Sequence, residues 1–392
     1  MARTPAEFHT EQGIDARTGH EVLAIDPTAR RVRVIDLATP GKEWWEPYDQ
    51  LLIATGAIPF CPHVPGVDSR GIFGVCSLQS AIVLQRFLEK EQPRRAVIVG
   101  GGYIGLEMAE AFLLRGMSVT LIDRGAEVMS TLDEDMGGMV SAALEKGGVT
   151  LLRREALKAF ESDSTGRLTA VVTDQRTIPA DVAVLGMGVA PNTDLAQEAG
   201  ITLGVRGAIR VNSLLQSEMS GIWAAGDCAE SFHLVARQPV FIALGTVANR
   251  HGRVAGINLG NGYATFAGVV GTAVTKFQST EIGRTGLQER EATALGLQFV
   301  STIIKSRTRA GYYPEAAPIS VKVLAERGSG RLLGGQIVGG LGAAKRIDTL
   351  AVALHAGMDV EGMINLDLSY APPFSPVWDP VVIACREVAK LL

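Results

Sequence analysis

Three glycines form the pattern with the clearest chemical meaning in this sequence. Gly100, Gly102 and Gly105 follow a short apolar run, Ala96 to Val99, and open a segment with helical spacing. The first glycine permits a tight turn, the second lets backbone N–H groups approach an anion, and the third lets helix and strand pack closely. A pyrophosphate would then lie at the positive end of the helix. The pattern predicts a dinucleotide-binding loop.

An acidic residue stands where such a loop needs one. Asp123 ends the second apolar strand, Met117 to Ile122, about 20 residues beyond Gly105. A carboxylate at this place accepts hydrogen bonds from ribose hydroxyls and favours NADH, while the neighbouring Arg124 leaves NADPH open. Strand, helix, strand and acid together predict a complete βαβ unit.

Two other apolar strands end in a glycine and a hydrogen-bonding side chain. Ile222 to Ala225 is followed by Gly226 and Asp227, and Tyr48 to Ala54 is followed by Thr55 and Gly56. Asp227 can accept a hydroxyl hydrogen bond from a ligand, or it can simply cap the next turn. The residues alone leave both interpretations open. A helix predicted from about Thr246 would direct its positive end towards negative charge.

The cysteines and the overall composition limit the classes of function. Four cysteines lie far apart, so no redox dithiol, zinc site or other metal site is predicted, and we expect all four to be buried free thiols: Cys61, Cys76, Cys228 and Cys385. A net charge of -4 without basic runs argues against nucleic-acid binding. Apolar stretches are too short to span a membrane, and no secretory signal is visible, so we expect a cytoplasmic protein without membrane or nucleic-acid partners.

The last third of the chain changes in character. Beyond Phe266, four apolar segments predict an antiparallel meander: Val270–Phe277, Leu297–Ile304, Ile319–Leu324 and Leu332–Val338. Helices predicted at Ala343 to His355 and near the C-terminus would cover it.

Taken together, these motifs resemble the pyridine nucleotide-disulfide oxidoreductases, and most of all the coenzyme A-disulfide reductases and NADH oxidases. The segments that carry the resemblance run in family order along almost the whole chain: Tyr48–Pro59, Val97–Glu110, Gly186–Thr193, Gly221–Glu230, Leu244–Gly256, Gly311–Pro314 and Asp367–Pro376.

The resemblance implies an α/β fold with two interleaved Rossmann-like domains, for FAD and NAD(P)H, and a C-terminal α+β dimerisation domain. Residues 1–77 and 205–267 would form the FAD-binding domain, and residues 78–204 the NAD(P)H-binding domain. Residues 268–392 would form the interface of a homodimer.

The resemblance also implies which residues face the cofactors and the substrate. The cofactor-binding set is Gly100, Gly102, Tyr103, Ile104, Gly105, Glu107, Asp123, Gly188, His20, Val22, Ala54, Thr55, Gly56, Gly226, Asp227, Thr246 and Ala248. Tyr312 and Tyr370 match tyrosines that reach the partner subunit's active site, and Asn249 matches a position near the thiol substrate. Ordinary dimer packing for the tyrosines, and helix capping for Asn249, are the alternatives.

One departure from the family bears on activity. Family members open with a strand, a glycine loop for the FAD pyrophosphate and a redox-active cysteine, and nothing before His20 resembles these. Ala2 to Gly13 instead resembles the helix that follows that region. We therefore expect the redox cysteine to be absent, and the chain to be a truncated form with Met1 as an internal start.

The implied reaction passes a hydride from NAD(P)H to FAD and then electrons to a disulfide of the coenzyme A type or to dioxygen, with impaired turnover in this chain. Two alternatives stay open. One is a flavin-free, NAD(H)-binding dimer without redox turnover. The other is an NAD(P)H-dependent reductase of the ferredoxin-reductase kind, which needs no cysteine.

Overall fold

The computed structural model describes residues 4–392, and the chain divides into two compact units. The first unit comprises Met1–Ala57, described from Thr4, with Pro191–Ser231 and Pro239–Ala267. The second unit comprises Ile58–Ala190, Phe232–Gln238 and Gly268–Leu392. Each unit is therefore assembled from separate stretches of sequence. The domain boundaries expected above stay a prediction.

The helices and strands are numbered in chain order. Up to residue 91 they are α1 (Pro5–Gln12), β1 (His20–Asp26), β2 (Arg31–Asp36), β3 (Glu43–Pro47), β4 (Leu51–Ile53), β5 (Ala57–Pro59), β6 (Ile72–Gly74) and α2 (Leu78–Glu91). Next come β7 (Arg95–Val99), α3 (Tyr103–Leu114), β8 (Ser118–Asp123), α4 (Glu134–Lys146), β9 (Thr150–Arg153), β10 (Leu157–Ser162), β11 (Leu168–Thr173), β12 (Thr177–Pro179), β13 (Val182–Leu185), β14 (Val189–Pro191) and α5 (Asp194–Glu198).

The remaining elements follow a short 3-10 turn at Val205–Gly207. They are β15 (Ile222–Ala224), β16 (Ser231–His233), β17 (Gln238–Val240), α6 (Gly245–Leu259), β18 (Ala273–Phe277), β19 (Thr280–Gly286), α7 (Glu289–Ala294), β20 (Phe299–Arg307), β21 (Pro318–Glu326), β22 (Leu332–Gly339), α8 (Ala343–Ala356), α9 (Val360–Ile364) and α10 (Pro380–Ala389). Among residues 4–392, no helix has the length and apolar character needed to cross a membrane.

The first unit holds an antiparallel sheet, β1-β2-β3, and a parallel pair formed by β4 and β15. In the parallel pair, Leu51 lies opposite Ile222 and Ile53 opposite Ala224. Both strands are short and apolar, and they pack with Ile209 into a small buried core. Because paired parallel strands end at the same edge, the turns after Ile53 and Ala224 are neighbours.

The first part of the second unit is built on a parallel sheet in the order β6-β13-β7-β8-β9. The continuous apolar runs in β7 and β13 are buried, as expected of strands covered on both faces. Helix α3 packs against β7 and β8, with Leu106 and Phe112 fully buried. The βαβ unit predicted from the sequence is confirmed.

The C-terminal sheet has the order β18-β19-β22-β21-β20 and is antiparallel throughout. The predicted simple meander is therefore wrong in its order, since β22 inserts beside β19. The sequence reasoning missed β19 altogether because Thr280–Gly286 contains two glycines and two charged residues and shows no apolar alternation. Helix α8 covers this sheet as predicted.

The described part of the predicted N-terminal helix is α1. Thr4 and Glu7 form a capping box at its start, and Gly13 ends it in the left-handed conformation. The prediction placed the helix start at Ala2, which lies outside the described residues.

Candidate functional sites

The glycine loop of the second unit has the geometry that its sequence predicts. Gly100 has φ of 103°, and a side chain there would meet the carbonyl oxygen of Gly186 at 2.6 Å. A Cβ on Gly105 would lie 2.1 Å from the Gly100 carbonyl oxygen, so α3 starts directly against the loop. Gly102 precedes α3 without a side-chain cap. The free N–H groups of the first helical turn therefore remain available to an anion.

Asp123 is held beside this loop by both of its carboxylate oxygens. Oδ2 accepts a hydrogen bond from Gly101 N–H at 2.7 Å, and Oδ1 accepts one from Gly125 N–H, also at 2.7 Å. Each carboxylate oxygen keeps a second lone pair for another donor. The carboxylate is thus fixed beside the glycine loop, while Arg124 is exposed.

A neighbouring glycine that the sequence analysis did not select belongs to the same loop. A Cβ on Gly186, which follows β13, would lie 2.9 Å from the Gly100 carbonyl oxygen and 3.3 Å from Gly105 Cα. The sequence feature that could have identified Gly186 is its position at the end of an apolar strand. Gly188, which the resemblance did select, has φ of 92° and open space around its Cα.

Glu107 lies one turn into α3, at the side of a cavity of about 560 Å³ within the second unit. Its Oε1 accepts a hydrogen bond from Thr275 Oγ1 at 3.2 Å, and the residue is exposed. Tyr103 and Ile104 begin the same helix. The carboxylate is therefore free to face a ligand while one oxygen stays anchored to β18.

In the first unit, the paired strands β4 and β15 bring the two predicted turns together. The Ala225 N–H donates to the Ile53 carbonyl oxygen at 3.0 Å, so Ala54, Thr55 and Gly56 adjoin Gly226 and Asp227. Gly56 has φ of 70°, and a Cβ at this position would have no other atom within 4 Å. Asn192, which the sequence analysis missed, fixes the first turn. Its carbonyl oxygen accepts from Thr55 Oγ1 at 2.5 Å, and its N–H donates to Gly56 O at 2.9 Å.

Asp227 has a buried side-chain atom that forms no hydrogen bond. Its Oδ1 is buried and has no hydrogen-bond partner in the described structure. Burial raises the pKa of the Asp227 carboxyl, because little water reaches it to stabilise the charge. A buried carboxylate oxygen without a donor is destabilising unless a ligand supplies one. The simple turn-cap alternative leaves this oxygen unexplained, so the residues here fit a hydroxyl-bearing ligand such as the FAD ribityl chain.

Helix α6 places three other predicted residues near its N-terminus. Ala248 lies next to Gly226, since a Cβ built on that glycine would be 3.7 Å from the alanine Cβ. Thr246 and Asn249 are exposed. The Asn249 side-chain amide donates to the Gly245 carbonyl oxygen at 2.8 Å, one turn back inside the helix. The capping alternative for Asn249 therefore does not describe its contact.

His20 and Val22 lie on a different sheet of the first unit. Both are in β1, where His20 Nδ1 contacts the Thr18 carbonyl oxygen at 2.8 Å and the ring meets Trp44 edge-on. Val22 is 37% exposed. No hydrogen bond in the described structure joins this pair directly to Asp227, so their grouping with it rests on the family resemblance.

The two tyrosines implied by the resemblance come together in the second unit. Tyr312 and Tyr370 are 58 residues apart in sequence, yet the neighbouring Tyr312 hydroxyl raises the pKa of Tyr370. Tyr312 is 80% exposed and Tyr370 47%. Other exposed apolar residues of this C-terminal part include Leu341, Phe374, Val377 and Trp378. Exposed aromatic residues of this kind are enriched at protein interfaces.

The expectation that all four cysteines are buried is wrong for Cys61 and Cys76, which are exposed. Prolines flank the first, and the second precedes the capping box of α2, so both lie in surface loops. Cys228 is buried; its thiol lies 3.5 Å from the Ile53 carbonyl oxygen, and burial raises its pKa. Burial raises the pKa of Cys385 to about 12. Neither buried thiol is set up as a nucleophile.

Comparison with protein families gives two adjacent matches. Residues 3–255 match the pyridine nucleotide-disulphide oxidoreductase model, and residues 272–380 match the dimerisation domain of the same family. Together the two matches cover most of the chain. They confirm the predicted fold class, an α/β fold of this family with a C-terminal dimerisation domain.

Individual proteins extend the likeness. An NAD(P)H coenzyme A polysulfide/persulfide reductase of Pyrococcus horikoshii is 38% identical over 98% of this chain and 85% of its own length. An NADH oxidase of Methanocaldococcus jannaschii is 33% identical over 100% of this chain and 86% of its own length.

Two solved structures are also similar. An NAD-dependent persulfide reductase from A. fulgidus has a TM-score of 0.95 and 36% identity over 99% of this chain and 71% of its own. An FAD-dependent pyridine nucleotide-disulphide oxidoreductase from Desulfovibrio vulgaris has a TM-score of 0.85 and 32% identity over 97% of this chain and 92% of its own. This chain belongs to the pyridine nucleotide-disulphide oxidoreductase family and is an oxidoreductase of that family.

Proposed function

We propose that this protein is an FAD-dependent NAD(P)H oxidoreductase of the coenzyme A-disulfide reductase and NADH oxidase type. When bound, FAD supplies the redox chemistry by taking a hydride from the nicotinamide and passing electrons to an acceptor. The chain's own residues bind and orient the two dinucleotides. The final acceptor is a disulfide of the coenzyme A type or dioxygen, in line with the names of its relatives. We expect slow turnover of a disulfide, because no cysteine was recognised at the family's redox-active position and the buried thiols of Cys228 and Cys385 are not set up as nucleophiles.

The nicotinamide dinucleotide is assigned to the glycine loop of the second unit. Gly100, Gly102 and Gly105 leave the N-terminus of α3 open to a pyrophosphate, and Asp123 is oriented for the ribose. The fixed carboxylate favours NADH, because it would repel a 2′-phosphate. Glu107 is assigned a place beside the nicotinamide.

The flavin is assigned to the turns of the first unit, and the unpartnered Oδ1 of Asp227 is the observation that carries this assignment. A ribityl hydroxyl would donate the missing hydrogen bond. Gly56 and Gly226 leave room for close approach, and the uncapped N-terminus of α6 favours negative charge nearby. The flavin-free alternative gives that carboxylate oxygen no partner.

A homodimer is proposed from the matched dimerisation domain and from the exposed aromatic residues around Tyr312 and Tyr370. The ferredoxin-reductase alternative gives the tyrosine pair no role. We place the protein in the cytoplasm, with its cysteines as free thiols.

The acceptor can be tested by following NADH absorbance with FAD-loaded protein. One assay uses air without any disulfide, and the other uses argon with coenzyme A disulfide. We expect faster NADH consumption than with free FAD in at least one assay, and the faster one identifies the acceptor. Consumption no faster than with free FAD in both assays would refute the proposed function.

A further inference from the structure

The buried histidine of α6, His251, lies against the loop that carries Asp227. Its side chain is fully buried. Its Nδ1 accepts a hydrogen bond from Gly226 N–H at 3.3 Å, and its Nε2 lies 3.2 Å from Ser231 Oγ. The imidazole therefore links the two ends of the loop from Gly226 to Ser231. No motif in the sequence singles this residue out.

The two contacts define which nitrogen of His251 carries the proton. The Gly226 amide can only donate, so Nδ1 is the unprotonated nitrogen, and the proton on Nε2 is donated to Ser231 Oγ. Burial, with a smaller contribution from Arg250, lowers the pKa of His251 to about 4, so the ring is neutral near pH 7. Phe266 packs edge-on against the ring, with 4.4 Å between centroids.

The two peptide groups that flank the Gly226 Cα direct Asp227, and His251 holds the first of them. Gly226 has φ of 82°. Glycine adopts positive and negative φ about equally readily, so neighbouring hydrogen bonds must select this conformation. The carbonyl oxygen of Gly226 accepts from Ala229 N–H at 3.1 Å, and its N–H donates to His251. With both polar atoms bound, the backbone just before Asp227 cannot rotate freely.

We propose that His251 is a positioning residue for the Asp227 carboxylate. Its neutral ring fixes the Gly226 peptide, and this keeps the unpartnered Oδ1 of Asp227 oriented towards the flavin's ribityl hydroxyls. The inference rests on the proposed function, because FAD is the ligand assigned to Asp227. His251 acts through the loop and not by touching the flavin.

Two substitutions separate this role from simple packing. In His251→Gln, the amide oxygen can accept from Gly226 N–H and the amide N–H can donate to Ser231. In His251→Phe, the ring fills the space and keeps its contact with Phe266 but forms neither hydrogen bond. The FAD dissociation constant is measured by quenching of flavin fluorescence, and ADP-ribose binding to the second unit serves as the control for folding.

We expect His251→Phe to weaken FAD binding by about tenfold to a hundredfold, because the buried Gly226 N–H is left without a hydrogen-bond partner. His251→Gln should stay within about threefold of the wild type, since it restores the bonds. In an Asp227→Ala background, His251→Phe should add no more than about twofold, because coupled residues are not additive. The inference would be overturned if the effects of His251→Phe and Asp227→Ala on FAD binding were fully additive. It would also be overturned if His251→Phe bound FAD as tightly as the wild type.

Hydrogen exchange separates a failure of this inference from a failure of the proposed function. Residues 225–231 should exchange faster in His251→Phe than in the wild type or His251→Gln, while residues 96–105 stay unchanged. This result without any FAD binding would refute the flavin assignment but leave the loop-positioning role intact. Unchanged exchange at 225–231 would overturn the inference in either case. If His251→Phe loses ADP-ribose binding, Ser231→Ala is used in its place. We again expect weaker FAD binding and faster exchange at residues 225–231.

Discussion

At the scale of single residues, Asp123 and Asp227 are two carboxylates in contrasting states. Asp123 has both oxygens held by backbone N–H groups at 2.7 Å, whereas Asp227 keeps one buried oxygen with no partner among the described residues. We propose that the first discriminates between nicotinamide dinucleotides by charge. We propose that the second gains its hydrogen bond when FAD binds.

Asp123→Ala should weaken NADH binding about tenfold to a hundredfold and bring NADH and NADPH closer in affinity, because a charged acceptor for the ribose is lost. Asp163→Ala is the matched control. That aspartate also accepts backbone N–H bonds, from Thr165 and Arg167, but lies in an exposed turn. Titration of each variant with both dinucleotides checks the prediction, and an unchanged preference in Asp123→Ala would contradict it.

Because His233 is buried, we expect the protein to lose stability in mild acid. Burial lowers its pKa to about 4, so the unfolded chain, with a histidine pKa near 6.5, binds the extra proton first. Its stabilising contribution is complete above about pH 6.5 and is lost as the pH falls towards about 4. His233→Asn keeps an acceptor for the Val235 and Ala236 amides without titrating. Thermal unfolding at pH 7 and 4.5 should therefore show a smaller loss in His233→Asn than in the wild type; an equal loss would count against this account.

The sequence predicted most of these residues wherever local chemistry marks them. A glycine spacing, a strand end and an acid are enough to find Gly100, Gly105 and Asp123. Asn192 and His251 could not be found in this way, because their roles depend on partners distant in sequence. The exposure of Cys61 was also missed, since the preference of cysteine for the interior says nothing about a loop flanked by prolines.

At the scale of elements, a buried lysine joins the start of α4 to the C-terminal sheet. Lys322, in β21, is 1% exposed and lies within 3.0 Å of oxygens of Asp133, Asp135 and Glu289. Burial alone would lower the pKa of Lys322, but hydrogen bonds to these carboxylates outweigh it and raise the pKa. Asp133 also accepts from Gln336 Nε2 at 2.7 Å. The arrangement ties the parallel and antiparallel sheets of the second unit together.

Lys322→Met should destabilise the second unit by about 3–5 kcal/mol, because it leaves the buried Asp133 carboxylate without its cation. Lys276→Met, in β18 of the same sheet, is the matched control. It removes an exposed pair with Glu110 and should cost about 1 kcal/mol or less. Urea unfolding followed by circular dichroism compares the two, and equal effects would show that the buried network adds nothing.

Element prediction succeeded where apolar periodicity was continuous and failed where it was not. The parallel strands β7 and β13 stand out through their apolar runs Ala96–Val99 and Val182–Leu185. Strand β19 pairs on both sides, yet its glycines and charged residues hide it, and with it the insertion of β22. Strand order in the C-terminal sheet is set by tertiary pairing, for which the single sequence carries no local signal.

At the scale of the whole molecule, the exposed aromatic residues of the C-terminal part predict a dimer. Phe374 is 76% exposed and Trp378 52%. Phe374→Glu should shift the protein towards monomers, because a charge would be desolvated in the interface. Tyr263→Glu, at an aromatic residue of the first unit that is 81% exposed, is the control. Sedimentation velocity checks this, and a dimer unaffected by Phe374→Glu would place the interface elsewhere.

We propose that the first unit holds FAD and that NADH bound to the second unit reduces it. The most direct test of this proposal is the visible absorption spectrum of the purified chain, incubated with FAD, freed of unbound flavin, and recorded before and after anaerobic addition of NADH. We predict that the flavin bands stay with the protein and bleach on addition of NADH. A colourless protein, or bound flavin that NADH does not bleach, would contradict the account.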